Sequence, residues 1–413
     1  MVTLPKKWYI KTVDELFDVQ LGKMLNEKAK FGGDQQPYLT NFNVQWGRFK
    51  MDVLNTMCFS DKERKKFALK KGDLIVCEGG EVGRCAIWNE EIAPCYYQKA
   101  LHRLRPKNDE IIPEFMMAYM LFISESKKIS DLTSQSSIAH LTRERFLELE
   151  VLTPPLPEQR KIAEILYTWD EALEKLDTLI EAKERSKKAL MQHLISGQKR
   201  LKGFDVSNDK RASDRFGNYP VDWRRVRLGD VTREVPTKNS KGVEMPVLSC
   251  TKHRGLVLSK EYFGKRVYAE DTSGYRVVQR GEFAYATNHI EEGSIGYQNR
   301  CDAGLVSPIY TVFKTSDDVD DGYFFRVLKS PLLIHFYQIN TSASVDRRGS
   351  LRYDEFSRIH IWLPSKSEQI AIAKVFDTAD QELSLLRNQR ATLDQQKRGL
   401  MQRLLTGKVR VAV

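Results

Sequence analysis

Apolar residues recur at Ile162, Leu166, Trp169, Leu173, Leu176 and Ile180, at spacings of four, three, four, three and four. Lys183 and Lys187 interrupt this stripe, and Leu190 and Leu194 resume it. A mean spacing of about 3.5 over more than four heptads predicts a long coiled-coil helix. Ile165, Ala172 and Leu179 widen the stripe, so the helix is expected to touch more than one neighbour. Pro154, Pro155 and Pro157 bar an earlier start, and Gly197 is a natural stop. A second stripe follows the same plan. It runs through Ile372, Phe376, Ala379, Leu383 and Leu386, then Leu393 between Arg390 and Lys397, then Leu400 and Leu404 before Gly407.

The two stripes belong to one duplication. Leu190-Met191-Gln192-His193-Leu194-Ile195-Ser196-Gly197 returns as Leu400-Met401-Gln402-Arg403-Leu404-Leu405-Thr406-Gly407, a shift of 210 positions. Pro154, Glu158, Gln159, Ile162 and Ala163 return at the same shift as Pro364, Glu368, Gln369, Ile372 and Ala373. Two such helices in one chain are expected to pair antiparallel about a pseudo-two-fold axis. Lys183, Lys187, Arg390 and Lys397 then fix the register, with Asp177, Glu184 and Asp394 as ion partners.

Between the helical segments the pattern shortens. Leu74–Cys77 reads as a strand entered from the turn Lys71-Gly72-Asp73, and 112–121 as a helix with Pro113 in its first turn. The later stretch echoes this with Arg280-Gly281-Glu282-Phe283, Gly83 corresponding to Gly296, and Trp8 to Trp223. The predicted class is therefore α+β: two mixed α/β domains, at 1–157 and 203–367 (with a linker at 203–222), and helical regions at 158–202 and 368–413. Divergence confined to loops on a shared framework is where recognition surfaces sit.

Charge sharpens the picture only a little. The net charge is +11, but no segment is a basic tail, so any polyanion must meet patches assembled by folding. The six cysteines include no CxxC pair, which fits reduced thiols in a cytosolic protein and speaks against a zinc site. No run is long and apolar enough for a membrane span, and the first residues lack the apolar core of a signal peptide. No phosphate loop, HExxH, dinucleotide fingerprint or Asp/Asn-Pro-Pro-aromatic tetrad occurs; Thr153-Pro154-Pro155-Leu156 reads as a hinge. No catalytic residue, metal or cofactor is expected on this chain.

The segment Pro154-Pro155-Leu156-Pro157-Glu158-Gln159-Arg160-Lys161-Ile162-Ala163, opening a helix that closes on Leu194-Ile195-Ser196-Gly197, resembles the DNA-specificity subunit of type I restriction-modification systems. The likeness extends over the whole length. It includes Leu363-Pro364 with Glu368-Gln369, the glycine-bearing loops, and Leu228-Gly229-Asp230-Val231 after Trp223. At the first domain Val13-Asp14-Glu15-Leu16 departs from the Leu-Gly-Asp form. The resemblance implies a non-catalytic cytoplasmic subunit whose two recognition domains read the halves of a split, asymmetric site in double-stranded DNA. Its helices would dock two copies of a methyltransferase subunit, and motor-nuclease subunits would join. S-adenosylmethionine, ATP and Mg²⁺ would belong to those partners.

Phosphates are met by Lys and Arg, guanine by Arg, adenine by Asn or Gln. By that chemistry the first domain offers Gln45, Arg48, Lys62, Arg64, Lys65, Lys66, Arg84, Gln98, Lys99 and Gln135. The second offers Lys252, His253, Arg254, Asn288, His289, Arg347 and Arg348, with Tyr275, Arg276 and Tyr297 behind them. Half-sites read from one face of the duplex would be centred roughly 10 bp apart. Three rival readings stay open: the specificity subunit of a type IIB-like enzyme, a coiled-coil adaptor for proteins, and an autonomous nuclease or methyltransferase.

Overall fold

The computed structural model describes residues 5–125, 141–204, 210–212, 218–341 and 350–413. Two helices dominate it, Leu156–Ile195 and Lys366–Leu405, each of 40 residues. The chain divides into two compact units, Met1–Leu179 with Leu386–Val413, and Ile180–Leu385, so each unit takes part of both helices. The class is α+β.

In the first unit a four-stranded antiparallel sheet has the order Phe17–Leu21, Leu101–Pro106, Leu74–Cys77, Cys85–Ile87. In the second the order is Thr232–Glu234, Tyr310–Thr315, Phe283–Ala286, Ile295–Tyr297, again antiparallel. Each sheet is preceded by a strand that pairs with the one leading into a long helix: Tyr9–Thr12 with Glu150–Thr153, and Arg224–Arg227 with His360–Leu363. One helical turn follows in each case. In the second unit Asp230 caps it, accepting from the Arg227 amide at 2.8 Å. In the first, Glu15 accepts from the Thr12 amide at 2.6 Å, so the departing Val-Asp-Glu-Leu sequence fills the same capping role with a longer acid.

Strand register corrects one sequence correspondence. Leu74 faces Ile87 and Phe283 faces Tyr297, which aligns Ala86, not Gly83, with Gly296. Gly83 matches Gly293 instead, and both have positive φ, 82° and 85°. Motif spacing misled because the intervening turns differ in length.

Within each unit the helix segments run antiparallel. In the first, Asp170 meets Lys397 at 2.5 Å and Asp177 meets Arg390 at 3.0 Å, one heptad forward on one helix and one back on the other. In the second, Lys187 pairs with Asp380 and Lys183 meets Glu382 at 2.6 Å. Of the expected ion partners, Asp177 holds Arg390, while Asp394 lies 4.0 Å from Arg390 on the same helix. Asp170, Asp380 and Glu382 take the other three bases.

The stripe ends serve the domain cores. Ile162, Leu166 and Leu404 are buried with Val13, Phe115 and Phe146. Leu194, Ile372 and Phe376 are buried with Phe283, Phe324 and Phe356. Leu173 and Leu383 are buried, while Trp169, Leu176, Leu386, Leu393 and Leu400 are half-buried. Leu190 departs from the expectation at 38% exposure, as does Leu179 at 43%; Ala172 is exposed too. Between Leu179 and Leu190 the ion pairs of Lys183 and Lys187 join the two helices.

The repeated Glu-Gln pair explains itself in the folded chain. Glu158 accepts from the Trp8 indole at 3.1 Å and pairs with the Arg410 guanidinium. Glu368 accepts from the Trp223 indole at 3.2 Å and from Arg200, whose other face holds Asp222. Beside them Gln159 bridges the Glu110 and Pro154 carbonyls and the Ile112 amide. Gln369 does the same for Asp318, Pro364 and Asp320. These buried side chains lock each helix start to its own domain. Gly197 and Gly407 close the far ends with φ of 68° and 69°, where a Cβ would meet Pro220 at 2.4 Å and Pro5 at 2.4 Å.

Candidate nucleic-acid interface

The loop after Gln35–Leu39 in the first unit is organised from inside by Asn43. Its carbonyl accepts from the Thr40 amide at 2.9 Å, and its amide donates to Lys50 and Val53 carbonyls at 2.9 and 2.8 Å. The loop is tied to the turn between Leu74–Cys77 and Cys85–Ile87. Arg84 donates to the Asn41 carbonyl at 2.8 Å and to Glu81 at 2.9 Å, and Glu81 also holds the Trp46 indole at 2.6 Å. Gly47 donates to the Cys85 carbonyl at 3.0 Å. Arg84 therefore braces the loop from within the chain. Arg48 is exposed on the braced loop, and Gln45 is half-buried with its amide on the Phe42 carbonyl. Gln98 bonds the end of the same strand through its backbone, to the Leu39 carbonyl at 3.1 Å, and Lys99 next to it is exposed.

The densest basic run belongs elsewhere in this unit. It forms the short helix Asp61–Phe67, capped by Ser60 and Glu63, with Lys23 holding Glu63 at 2.7 Å. Arg103 and Arg105, on the strand Leu101–Pro106, anchor its end through the Lys66 and Ala68 carbonyls at 3.5 and 3.0 Å. Arg64 is paired with Asp34, whose carboxyl it holds below the usual range. Arg64, like Arg84, has an acidic partner within its own unit. Lys62, Lys65 and Lys66 are exposed.

In the second unit Lys252, His253 and Arg254 form the exposed tip of the hairpin Leu248–Thr251 and Gly255–Leu258. Arg254 lies 5.7 Å from the Tyr262 ring centroid. Asn288 and His289 sit on the loop after Phe283–Ala286, half-buried and exposed respectively. The donor atoms of His289, Glu291 and Glu292 come within 4.8 Å of one another. Two carboxylates beside His289 oppose a phosphate there. Tyr275 is buried and its hydroxyl accepts from the Ala269 amide; Arg276 pairs with Glu234; Tyr297 packs 4.9 Å from Phe283, with burial pushing its hydroxyl up to about 12. Each of the three thus has a contact within its own unit. Gln135, its neighbours Ser134 and Ser136, and Arg347 and Arg348 lie outside the described residues.

The structure thus gathers Arg48, Gln45, Gln98 and Lys99 in one unit, and Lys252, His253, Arg254, Asn288 and His289 in the other, on or beside loops at the turn end of the central sheet. Sequence reasoning missed Lys50, whose ammonium lies 4.7 Å from the ring centroid of the exposed Phe42. The alternation of aromatic and basic residues from Phe42 to Lys50 was the available signal.

Residues 5–184 match the family model described as the type I restriction modification DNA specificity domain. Across 99% of this chain and 94% of its own length, the type I restriction enzyme MjaVIII specificity subunit of Methanocaldococcus jannaschii is 24% identical. The putative MjaX specificity subunit of the same organism is 22% identical, over 99% and 95%. The chain is similar to type I restriction-modification specificity subunits. Its fold agrees with theirs. The S subunit of M. genitalium superposes with a TM-score of 0.54 at 17% identity, over 98% of both chains. The HsdS subunit of Thermoanaerobacter tengcongensis gives 0.54 at 16%, also over 98% of both. A chain from a study of type I assembly and conformational transition gives 0.61 at 15%, over 99% and 100%. Among the described residues no helix is long and apolar enough to cross a membrane.

Proposed function

We propose that this chain is the non-catalytic specificity subunit of a type I restriction-modification complex, reading a split, asymmetric site in double-stranded DNA. One observation carries the reading: the two units share strand order, helix clamps and caps, yet present different exposed bases on unlike loops at the corresponding sheet edge. Identical loops would read a palindrome; unlike loops read unlike half-sites. Arg48 and Lys99 with Gln45 and Gln98 serve one half, and Lys252, His253 and Arg254 with Asn288 and His289 the other. Lys62, Lys65 and Lys66 serve as phosphate contacts. The long helices, with matching clamps in each unit, offer two equivalent docking surfaces to two methyltransferase subunits. Motor-nuclease subunits complete the assembly, and S-adenosylmethionine, ATP and Mg²⁺ act on those partners.

Methylome sequencing of a host carrying the chain with its methyltransferase partner should show one two-part asymmetric motif. Lengthening both helices by a heptad should change its spacer. A single uninterrupted or palindromic motif would reject the bipartite reading. Sequence-independent binding, or none, in a gel shift of the assembled complex would favour a protein-binding adaptor.

A further inference from the structure

Lys329 ends the helix Asp321–Leu328, and its side chain turns under the loops of the second unit. Its ammonium donates to the Thr251 carbonyl at 3.2 Å, the Lys252 carbonyl at 3.0 Å and the Gly293 carbonyl at 2.5 Å. An ammonium has three N–H groups, and here each has a backbone acceptor. Two of those acceptors belong to the hairpin tip and the third to the loop that carries Asn288 and His289. One turn earlier, Phe325 lies under the same tip: a Cβ on Gly255 would stand 3.2 Å from its ring. Ser294 adds a second strap, donating to the Cys250 carbonyl at 3.2 Å. At Gly296 a Cβ would lie 2.4 Å from the Leu256 amide, so hairpin and loop meet backbone to backbone.

These contacts have a consequence for recognition. A hairpin tip held only at its base would swing, and each base-reading side chain on it would average over several positions. A side chain must be held within fractions of an ångström to tell one base edge from another. A brace between two loops supplies that precision without touching DNA.

We propose that Lys329 is a positioning residue for sequence discrimination, clipping the 251–254 tip and the 287–293 loop into one rigid reading edge. This rests on the DNA-reading role proposed above. The side chain is half-buried and its three N–H groups are taken up by carbonyls, so it acts through the tip.

The test uses the complex assembled with its methyltransferase subunits, and duplexes carrying the motif found by methylome sequencing or substitutions in either half. The double variant Lys252→Ala with Arg254→Ala first assigns the half read by this unit, as the half whose discrimination falls. Lys329→Met, which keeps length and volume but removes the donors, should then lower discrimination in that half by about tenfold. Discrimination in the other half, affinity for unrelated DNA and the salt slope should stay as in the unaltered complex. Ser294→Ala, which removes only the second strap, should relax the same half by less, and it covers the case in which Lys329→Met does not fold. Unchanged discrimination in a folded Lys329→Met complex, or equal loss across both halves and unrelated DNA, overturns the brace. So does full discrimination in Ser294→Ala where Lys329→Met does not fold. If instead the tip double variant binds every duplex as before, it is the DNA-reading role of this edge that fails.

Discussion

The loop edge of the first unit is tied down at the surface, by Arg84 and a Glu81 carboxylate that is half exposed; that of the second is tied from beneath, by a half-buried lysine on three carbonyls. Behind those edges the units coincide in strand order, in one-turn caps and in the Trp–Glu–Arg clamp. The contrast separates two demands on the sequence. The framework tolerates little change because its buried carboxylates have fixed partners. The edges can be rebuilt, because any device that immobilises a loop serves, whichever side chains project from it.

The clamps give the sharpest test of that sameness. Glu368 and Arg200 are nearly inaccessible, with side chains 1% and 6% exposed, whereas Arg410 opposite Glu158 is 40% exposed. Glu368→Ala leaves the buried Arg200 guanidinium with Asp222 alone and the buried Trp223 indole without its acceptor, and should cost about 3–5 kcal/mol. In Glu158→Ala the guanidinium can turn to water, and the loss should be about 1–3 kcal/mol. Denaturant unfolding of the full chain checks both; equal losses would mean that solvent does not distinguish the clamps.

The edges should differ in what they read. Arg48→Ala and Arg254→Ala should each cost about 1–3 kcal/mol at single positions in opposite halves of the motif. Lys65→Ala should weaken all duplexes alike and reduce the salt slope by about one. Competition binding with single-base variants makes the distinction, and relaxation of the same half by both arginine variants would remove the division of labour.

Acid should strain the first clamp. The Arg410 guanidinium holds the Glu158 carboxyl below its ordinary value, with the Trp8 indole contributing and burial opposing. A carboxyl whose folded value is depressed adds stability above its unfolded value, about 4.3, and loses it as pH falls through the folded one. Glu158→Gln should flatten that part of the acid limb of the stability curve. An unchanged limb would show the contribution to be negligible.

Much of this was legible in the chain. A three-four spacing is a local signal, so both long helices and their glycine ends could be read directly, as could the strand Leu74–Cys77. The partners of Lys187 and Lys397 could not, because Asp380 and Asp170 lie on helix flanks with no apolar period to mark them. Arg64 and Arg84 show the limit for binding residues: a base reads alike in sequence whether it is free to face DNA, is paired with an acid thirty residues away as Arg64 is, or holds a carbonyl forty-three residues away as Arg84 does. Lys329 was invisible for the opposite reason, since its partners are backbone carbonyls, which carry no sequence.

The helix ion pairs offer the finest comparison. Lys397 is 8% exposed against Asp170, while Lys183 and Glu382 are 41% and 47% exposed. Exposed pairs are worth about 0.2–1 kcal/mol, since water screens them and ordering two side chains opposes them. A double-mutant cycle on Lys183 and Glu382 should fall at the lower end of that range, and one on Asp170 and Lys397 at the upper end. Replacing Lys397 by Met should be close to neutral, because its stem is already packed and the charge it loses was partly desolvated. Coupling of equal size in both cycles would show that burial of one partner adds nothing, and the bases that interrupt the stripes would then set helix register without favouring either unit.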